Sequence, residues 1–168
     1  MRMEKRASEL DRLYREDGPS VWAYLQRRIT DHGAAEELFQ DTFLVVVKDA
    51  EGLTAARLPR AWLLGIARNL VREYRRRAAR DRTTALTENQ PAIAPPAEDP
   101  RLEAMRQAMA RLPEAQREVL EMRLADGLTY VEIAEALSIP VGTVRSRLHH
   151  AVAELRRRVA EISAGSHK

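Results

Sequence analysis

Apolar residues return every three or four positions along most of this 168-residue chain. That is the period of a helix with one buried face. Leu10, Leu13 and Tyr14 make the first stripe, which ends near Gly18 and Pro19. Val21, Trp22, Leu25 and Ile29 make the second, with Ser20 placed as its N-cap. In the third, Ala34, Leu38, Thr42 and Val45 carry the helical period through "FLVVV", Phe43–Val47. β-Branching alone would suit that run to a strand, but the period continues unbroken to Gly52 and predicts a helix. A loop, "EGLTAARL", leads to Pro59, a residue suited to the first turn of a helix. The long helix after it puts Trp62, Ile66, Leu70 and Tyr74 on one face.

The period then stops. Residues 83–100, "TTALTENQPAIAPPAEDP", hold four prolines and small polar residues, the composition of an extended linker. At full extension these residues span roughly 60 Å. Helical spacing resumes at Asp99 or Pro100. Pro113 falls in a first turn, Gly127 stops that helix, and Thr129 with Glu132 has the spacing of a capping box. Three residues, Ser138–Pro140, separate this capped helix from a last one running through Leu155 toward Val159. The expected fold is all-α: two small helical domains, 1–82 and 101–168, joined by a Pro-rich linker over 83–100. The second contains a helix-turn-helix.

Composition narrows the chemistry. Apolar residues make up 45% and charged residues 32%, with no cysteine. A disulfide framework, a thiolate metal site and a cysteine nucleophile are thereby excluded. No run approaches the roughly 20 apolar residues of a membrane-spanning helix. The charged N-terminus has no apolar block behind it. The expectation is a cytoplasmic protein with no membrane insertion of its own. There is no phosphate-cradling glycine loop, no Glu-x-x-His pair and no nucleophile beside a base. No enzyme activity, cofactor or metal is therefore expected.

The net charge of +3 hides a strong asymmetry. Asp31 to Glu51 holds six acids and one lysine, whereas Arg68 to Arg82 holds seven arginines against two acids. Such separation points to one basic partner and one polyanion. The arginine helix, which includes Arg72, Arg75 and Arg76, suits salt-dependent phosphate binding. Glu37 and Asp41, four apart on the acidic helix, suit a docking face. In the last helix, Val144, Leu148, Ala151, Val152, Leu155 and Val159 share a face at about 100° per residue. Arg145, Ser146, His149 and His150 lie opposite, Arg156 and Arg157 extend that side, and Arg147 sits at the flank. Gly142 and Thr143 leave the helix N-terminus open to a phosphate. Arginine bridges guanine O6 and N7, and serine takes a base edge or phosphate.

The chain resembles the extracytoplasmic-function (ECF) sigma factors of bacterial RNA polymerase. Four blocks carry the resemblance in order: "LDRLYREDGPSVWAYLQRRI", "DHGAAEELFQDTFLVVVK", "LPRAWLLGIARNLVREYRRR" and "LPEAQREVLEMRLADGLTYVEIAEALSIPVGTVRSRL". The resemblance implies a sigma-2 domain whose Glu37, Leu38, Gln40, Asp41 and Phe43 dock on the clamp of the polymerase largest subunit. The loop Glu51–Pro59, with Arg60, Trp62, Arg68, Asn69 and Arg72, engages the −10 element. A sigma-4 domain reads the −35 element with Arg145, Ser146, His149 and His150 and binds the flap of the second-largest subunit. The partners implied are core RNA polymerase, promoter DNA and an anti-sigma factor. Many relatives carry arginine where His150 and Val152 stand, and often tryptophan where Val47 stands. Taken alone, the helix-turn-helix also suits a DNA-binding regulator that does not bind polymerase. The acidic helix and the separate arginine helix are what such a regulator does not need.

Overall fold

A computed structural model describes residues 2–84 and 99–165. Regular structure among them is entirely α-helical. The elements are α1 (Arg2–Glu16), α2 (Gly18–Arg28), α3 (His32–Lys48), α4 (Ala50–Ala55), α5 (Pro59–Thr84), α6 (Pro100–Ala110), α7 (Glu114–Leu124), α8 (Tyr130–Leu137) and α9 (Val141–Gly165). Contacts divide the chain into two compact units, one built from α1–α5 and the other from α6, α7, most of α8, and α9. Residues 85–98, most of the expected linker, lie outside the described residues. No helix among the described residues is long and apolar enough to cross a membrane.

In the first unit α3 packs on α2 and α5, α2 packs on α5, and α1 lies against α2. Leu13, Val21, Tyr24, Leu25, Leu38, Val46, Leu64 and Val71 are buried there. Several expectations shift by one to three residues. α2 begins at Gly18, with Asp17 rather than Ser20 in the cap position. Pro19 sits in its first turn, where a preset φ and a missing N–H cost nothing. "FLVVV" is helical, and its buried stripe is Ala35, Leu38, Thr42 and Val46, with Val45 exposed. The buried Thr42 hydroxyl donates to the Leu38 carbonyl at 2.7 Å, so it costs no unsatisfied polar group. In α5 the inner face is Ala61, Leu64, Ala67 and Val71. Trp62, Ile66, Leu70 and Tyr74 are half-buried beside it. Two alanines on the inner face let the helices approach closely, and large side chains are pushed to the flank.

The expected loop before α5 contains one helical element, α4. Asp49 caps it by accepting from the Gly52 N–H at 2.8 Å, and Leu53 is buried beneath. A Cβ at Gly52 would lie 2.8 Å from Cζ2 of Trp62, so only glycine lets the indole lie against this turn.

In the second unit α9 packs on α6 and α7. Asp99 caps α6 by accepting from the Arg101 N–H at 2.8 Å, and Pro113 occupies the cap of α7. Gly127 takes φ +68°, which turns the chain so that the Leu128 N–H reaches the Met122 carbonyl at 3.0 Å. The capping box forms: the Thr129 N–H donates to Glu132 Oε2 at 2.8 Å, and the Glu132 N–H donates to Thr129 Oγ1 at 3.2 Å. Ser138 closes α8 with φ +53°, a left-handed conformation that costs a non-glycine residue energy. Its N–H bonds the Glu135 carbonyl and the Ile139 N–H bonds the Ala134 carbonyl. Pro140 then allows α9 to start at once.

Candidate nucleic-acid and partner interfaces

The face of α9 opposite the core is set by its anchors. Val144, Leu148, Ala151 and Leu155 are buried, while Val152 and Val159 are half-buried at the edges. Arg145, Ser146, His149 and His150 are therefore exposed together, with Arg147 and Thr143 half-buried at the flank. Nothing lies within 4 Å of a Cβ placed on Gly142, so the start of the helix is unobstructed. The two imidazoles meet edge to face, with centroids 5.6 Å apart. Among the described residues Arg145 and Arg147 pair with no carboxylate, and their charge is available to a phosphate or base.

Further along α9 the picture changes. Arg157 donates through Nη2 to Glu154 Oε1 at 2.6 Å and through Nε to Glu154 Oε2 at 3.0 Å. It also binds Glu161. Arg158 donates to Glu154 Oε1 at 2.7 Å. The Arg157 hydrogen bond, more than any other contact, pulls the Glu154 carboxyl down to about 2. Arg157 was expected to extend the basic side; it is instead held by two acids on its own helix. That pairing was legible only as i,i+3 and i,i+4 spacing.

The same distinction separates the cations of α5. Arg72 is exposed and has no acidic partner among the described residues, and Asn69 is exposed next to Arg68. Arg75 donates to the Arg28 carbonyl at 3.1 Å. Arg76 pairs with Glu73, and Arg77 donates to Glu73 Oε1 at 3.0 Å. The Arg77 hydrogen bond is the main reason the Glu73 carboxyl lies below its usual range. Arg60 and Trp62 are half-buried at the start of the helix, beside α4.

On α3, Glu37, Gln40 and Asp41 are exposed, whereas Leu38 and Phe43 are buried. The last two therefore hold the helix in place, and the outward face is built from other residues. Leu44, Val45 and Val47 are exposed, as is Tyr14 from α1. Tyr14, Phe39 and Phe43 cluster with ring centroids 4.9 to 5.8 Å apart. A groove of about 670 Å³ runs beside them, lined by Trp22, Gln40, Leu44 and Val47 among others. Periodicity could not assign this apolar patch. The run Phe43–Val47 has more apolar residues than one helix face can bury, and the surplus is the signal.

Two independent surfaces, one acidic and apolar, the other basic, thus occur in a fixed order along the chain. Residues 13–81 match the family described as Sigma-70 region 2, and residues 102–155 match Sigma-70, region 4. Over 158 residues the chain is 34% identical to the ECF RNA polymerase sigma factor SigL of Mycobacterium tuberculosis, covering 89% of this chain and 88% of that relative. The chain belongs to the ECF sigma factors. Solved structures share its fold. The RpoE protein of Bartonella quintana, crystallised with the anti-sigma factor NepR, is similar with a TM-score of 0.66 and 23% identity, covering 89% of this chain and 96% of RpoE. CnrH, solved with the cytosolic domain of CnrY, is similar with a TM-score of 0.58 and 24% identity, covering 90% and 88%. At these identities the likeness is one of fold.

Proposed function

We propose that this sigma factor directs core RNA polymerase to promoters by dividing the work between its two units. The domains are 1–82 and 101–168, with 83–100 as the tether. The outward face of α3, with Glu37, Gln40 and Asp41 beside Leu44 and Val47, docks on the clamp of the largest polymerase subunit. Leu38 and Phe43 act from inside by fixing that face. Trp62, Arg68, Asn69 and Arg72 of α5, with Arg60 and the α4 turn, engage the −10 element and hold an unstacked base, at the cost of unstacking it. Arg145, Ser146, His149 and His150 read the −35 element in the major groove, and Thr143 and Arg147 take flanking phosphates. Of the arginines named for −10 contact, Arg75 and Arg76 start from intramolecular partners and must exchange them for phosphate.

The single observation that supports this reading is the outward set Arg145, Ser146, His149 and His150 on a helix anchored by Val144 and Leu148. It sits in the same chain as the acidic and apolar face of α3. A tether joining two weak contacts raises their joint affinity by effective concentration. Nothing in this reading calls for catalysis by the chain, and its place of action is the cytoplasm. By likeness to the RpoE–NepR complex above, an anti-sigma protein holds the factor inactive until it is needed; the family resemblance makes the flap of the second-largest subunit the partner of the second unit on polymerase.

The test is reconstitution. The purified chain, mixed with core polymerase freed of other sigma factors, is expected to form a complex and to start transcription at new sites on genomic fragments. Absence of a complex, or of new start sites, would sink the reading in favour of a DNA-binding regulator that works alone.

A further inference from the structure

The two helices assigned to nucleic acid carry the same arrangement in their C-terminal halves. In α5 the sequence Glu73-Tyr74-Arg75-Arg76-Arg77 is followed in three dimensions by pairing of Glu73 with Arg76 and Arg77. In α9 the sequence Glu154-Leu155-Arg156-Arg157-Arg158 pairs Glu154 with Arg157 and Arg158. In both, one carboxylate reaches the third and fourth residues ahead, each about one helical turn away. In α9 the residue after the glutamate, Leu155, faces inward and fixes the register, and in α5 its counterpart Tyr74 lies at the flank of the inner face. Tyr74 is half-buried and Leu155 buried. In α9 Arg157 is bound from both sides, since Glu161 also pairs with it. Each helix therefore has a stretch whose cations are open, at Arg72 or at Arg145 and Arg147, and a stretch whose cations are neutralised by its own acid.

We propose that Glu73 and Glu154 are specificity-determining residues that withhold arginines from sequence-independent phosphate binding. The inference rests on the reading that α5 and α9 face nucleic acid. Its physical basis is the division of labour at a DNA surface. Phosphate contacts supply most non-specific affinity and scale with the number of cations engaged. Base contacts supply discrimination. Three consecutive open arginines on a helix would add phosphate contacts to any duplex, whatever its sequence. Clamping two of them keeps the charge needed for helix stability and solubility but lowers the affinity for competing sites, on which the useful specificity ratio depends. The residue left out of each clamp differs: Arg75 is held by the Arg28 carbonyl, whereas Arg156 is exposed.

The experiment uses the full chain and a duplex of random sequence, so no promoter need be known. Binding is measured across a potassium chloride series, and the slope of log affinity against log salt is read. Glu154→Gln is expected to raise affinity for this duplex and to steepen the slope by about one, at roughly 0.9 per released cation, because it frees Arg158 while Glu161 still holds Arg157. Arg158→Gln is expected to leave the slope unchanged in the wild-type chain and to reduce it in the Glu154→Gln chain. Glu73→Gln is expected to steepen the slope with a random single strand. Glu114→Gln, which makes the same charge change at an exposed acid of α7 with no cationic partner among the described residues, is the control. Equal steepening by Glu114→Gln would reduce the effect to net charge and overturn the proposal. So would an unchanged slope in Glu154→Gln, or a lower slope in Arg158→Gln alone. Circular dichroism of each variant separates loss of helix from release of arginine, and the Arg158→Gln measurement in the otherwise unaltered chain stands even if Glu154→Gln frays α9. If the wild-type chain shows no salt-dependent binding at all, the nucleic-acid reading of α9 fails. If it binds and the variants do not differ, only the clamp fails.

Discussion

Arg145 and Arg157 show how little residue type decides by itself. Both are exposed arginines on one helix, yet one is open and the other is held by Glu154 and Glu161. Surface pairs of this kind contribute little to stability, so their meaning lies in what they make unavailable. Arg145→Ala is expected to weaken binding to a −35 duplex by about 1–3 kcal/mol, the value of a bidentate base contact. Fluorescence anisotropy with a matched and a mismatched duplex checks it. Unchanged discrimination between the two would show Arg145 to be a solvated side chain. His149 and His150 were legible as outward residues because four helical neighbours fixed the phase of α9. Their mutual edge-to-face contact was not, since it depends on two rotamers that spacing does not specify.

At the scale of an element, end signals were read better than faces. The capping box at Thr129, the glycine stop at Gly127 and the Asp99 cap all rest on short-range hydrogen bonds that a few neighbouring residues determine. Ser20 was misplaced because Pro19 starts α2 earlier. The faces of α3 and α5 slipped for different reasons. On α3 Leu38 and Thr42 were placed correctly and only the ends of the stripe moved, Ala34 to Ala35 and Val45 to Val46, while on α5 counting large apolar residues overlooked Ala61 and Ala67, which line the close-packed side. The slip on α3 concealed the outward patch of Leu44, Val45 and Val47. On α3 the docking reading carries its own test. Glu37→Lys changes an exposed residue far from any cap, so thermal unfolding is expected to move little, as for most surface substitutions. Affinity for core polymerase is expected to fall, because a like charge now faces a surface that selected a carboxylate. Full affinity in a pull-down or by biolayer interferometry would remove α3 from the interface.

At the scale of the whole molecule, the all-helical class and the order of the two units were legible because hydrophobic period, proline content and charge change together near residues 83–100. The family resemblance was legible for the same reason: four blocks in a fixed order carry more information than any one helix-turn-helix. What the sequence could not supply was which charges remain open, a property of side-chain geometry. That property bears on the behaviour of the isolated protein in solution. A net charge of +3 suggests mild mutual repulsion between copies. The molecule is better described as a polyampholyte, with the carboxylates of α3 at one surface and the open arginines of α9 at another. Two such molecules attract when the unlike patches meet, and a head-to-tail contact of this kind does not close on itself. Light scattering of the purified protein in very dilute buffer is expected to show a negative second virial coefficient and growing chains. Both should vanish near 0.15 M salt, where charges are screened over about 8 Å. A positive coefficient throughout would mean that the two patches are too small or too mobile to attract, and the protein would concentrate without turbidity even in water.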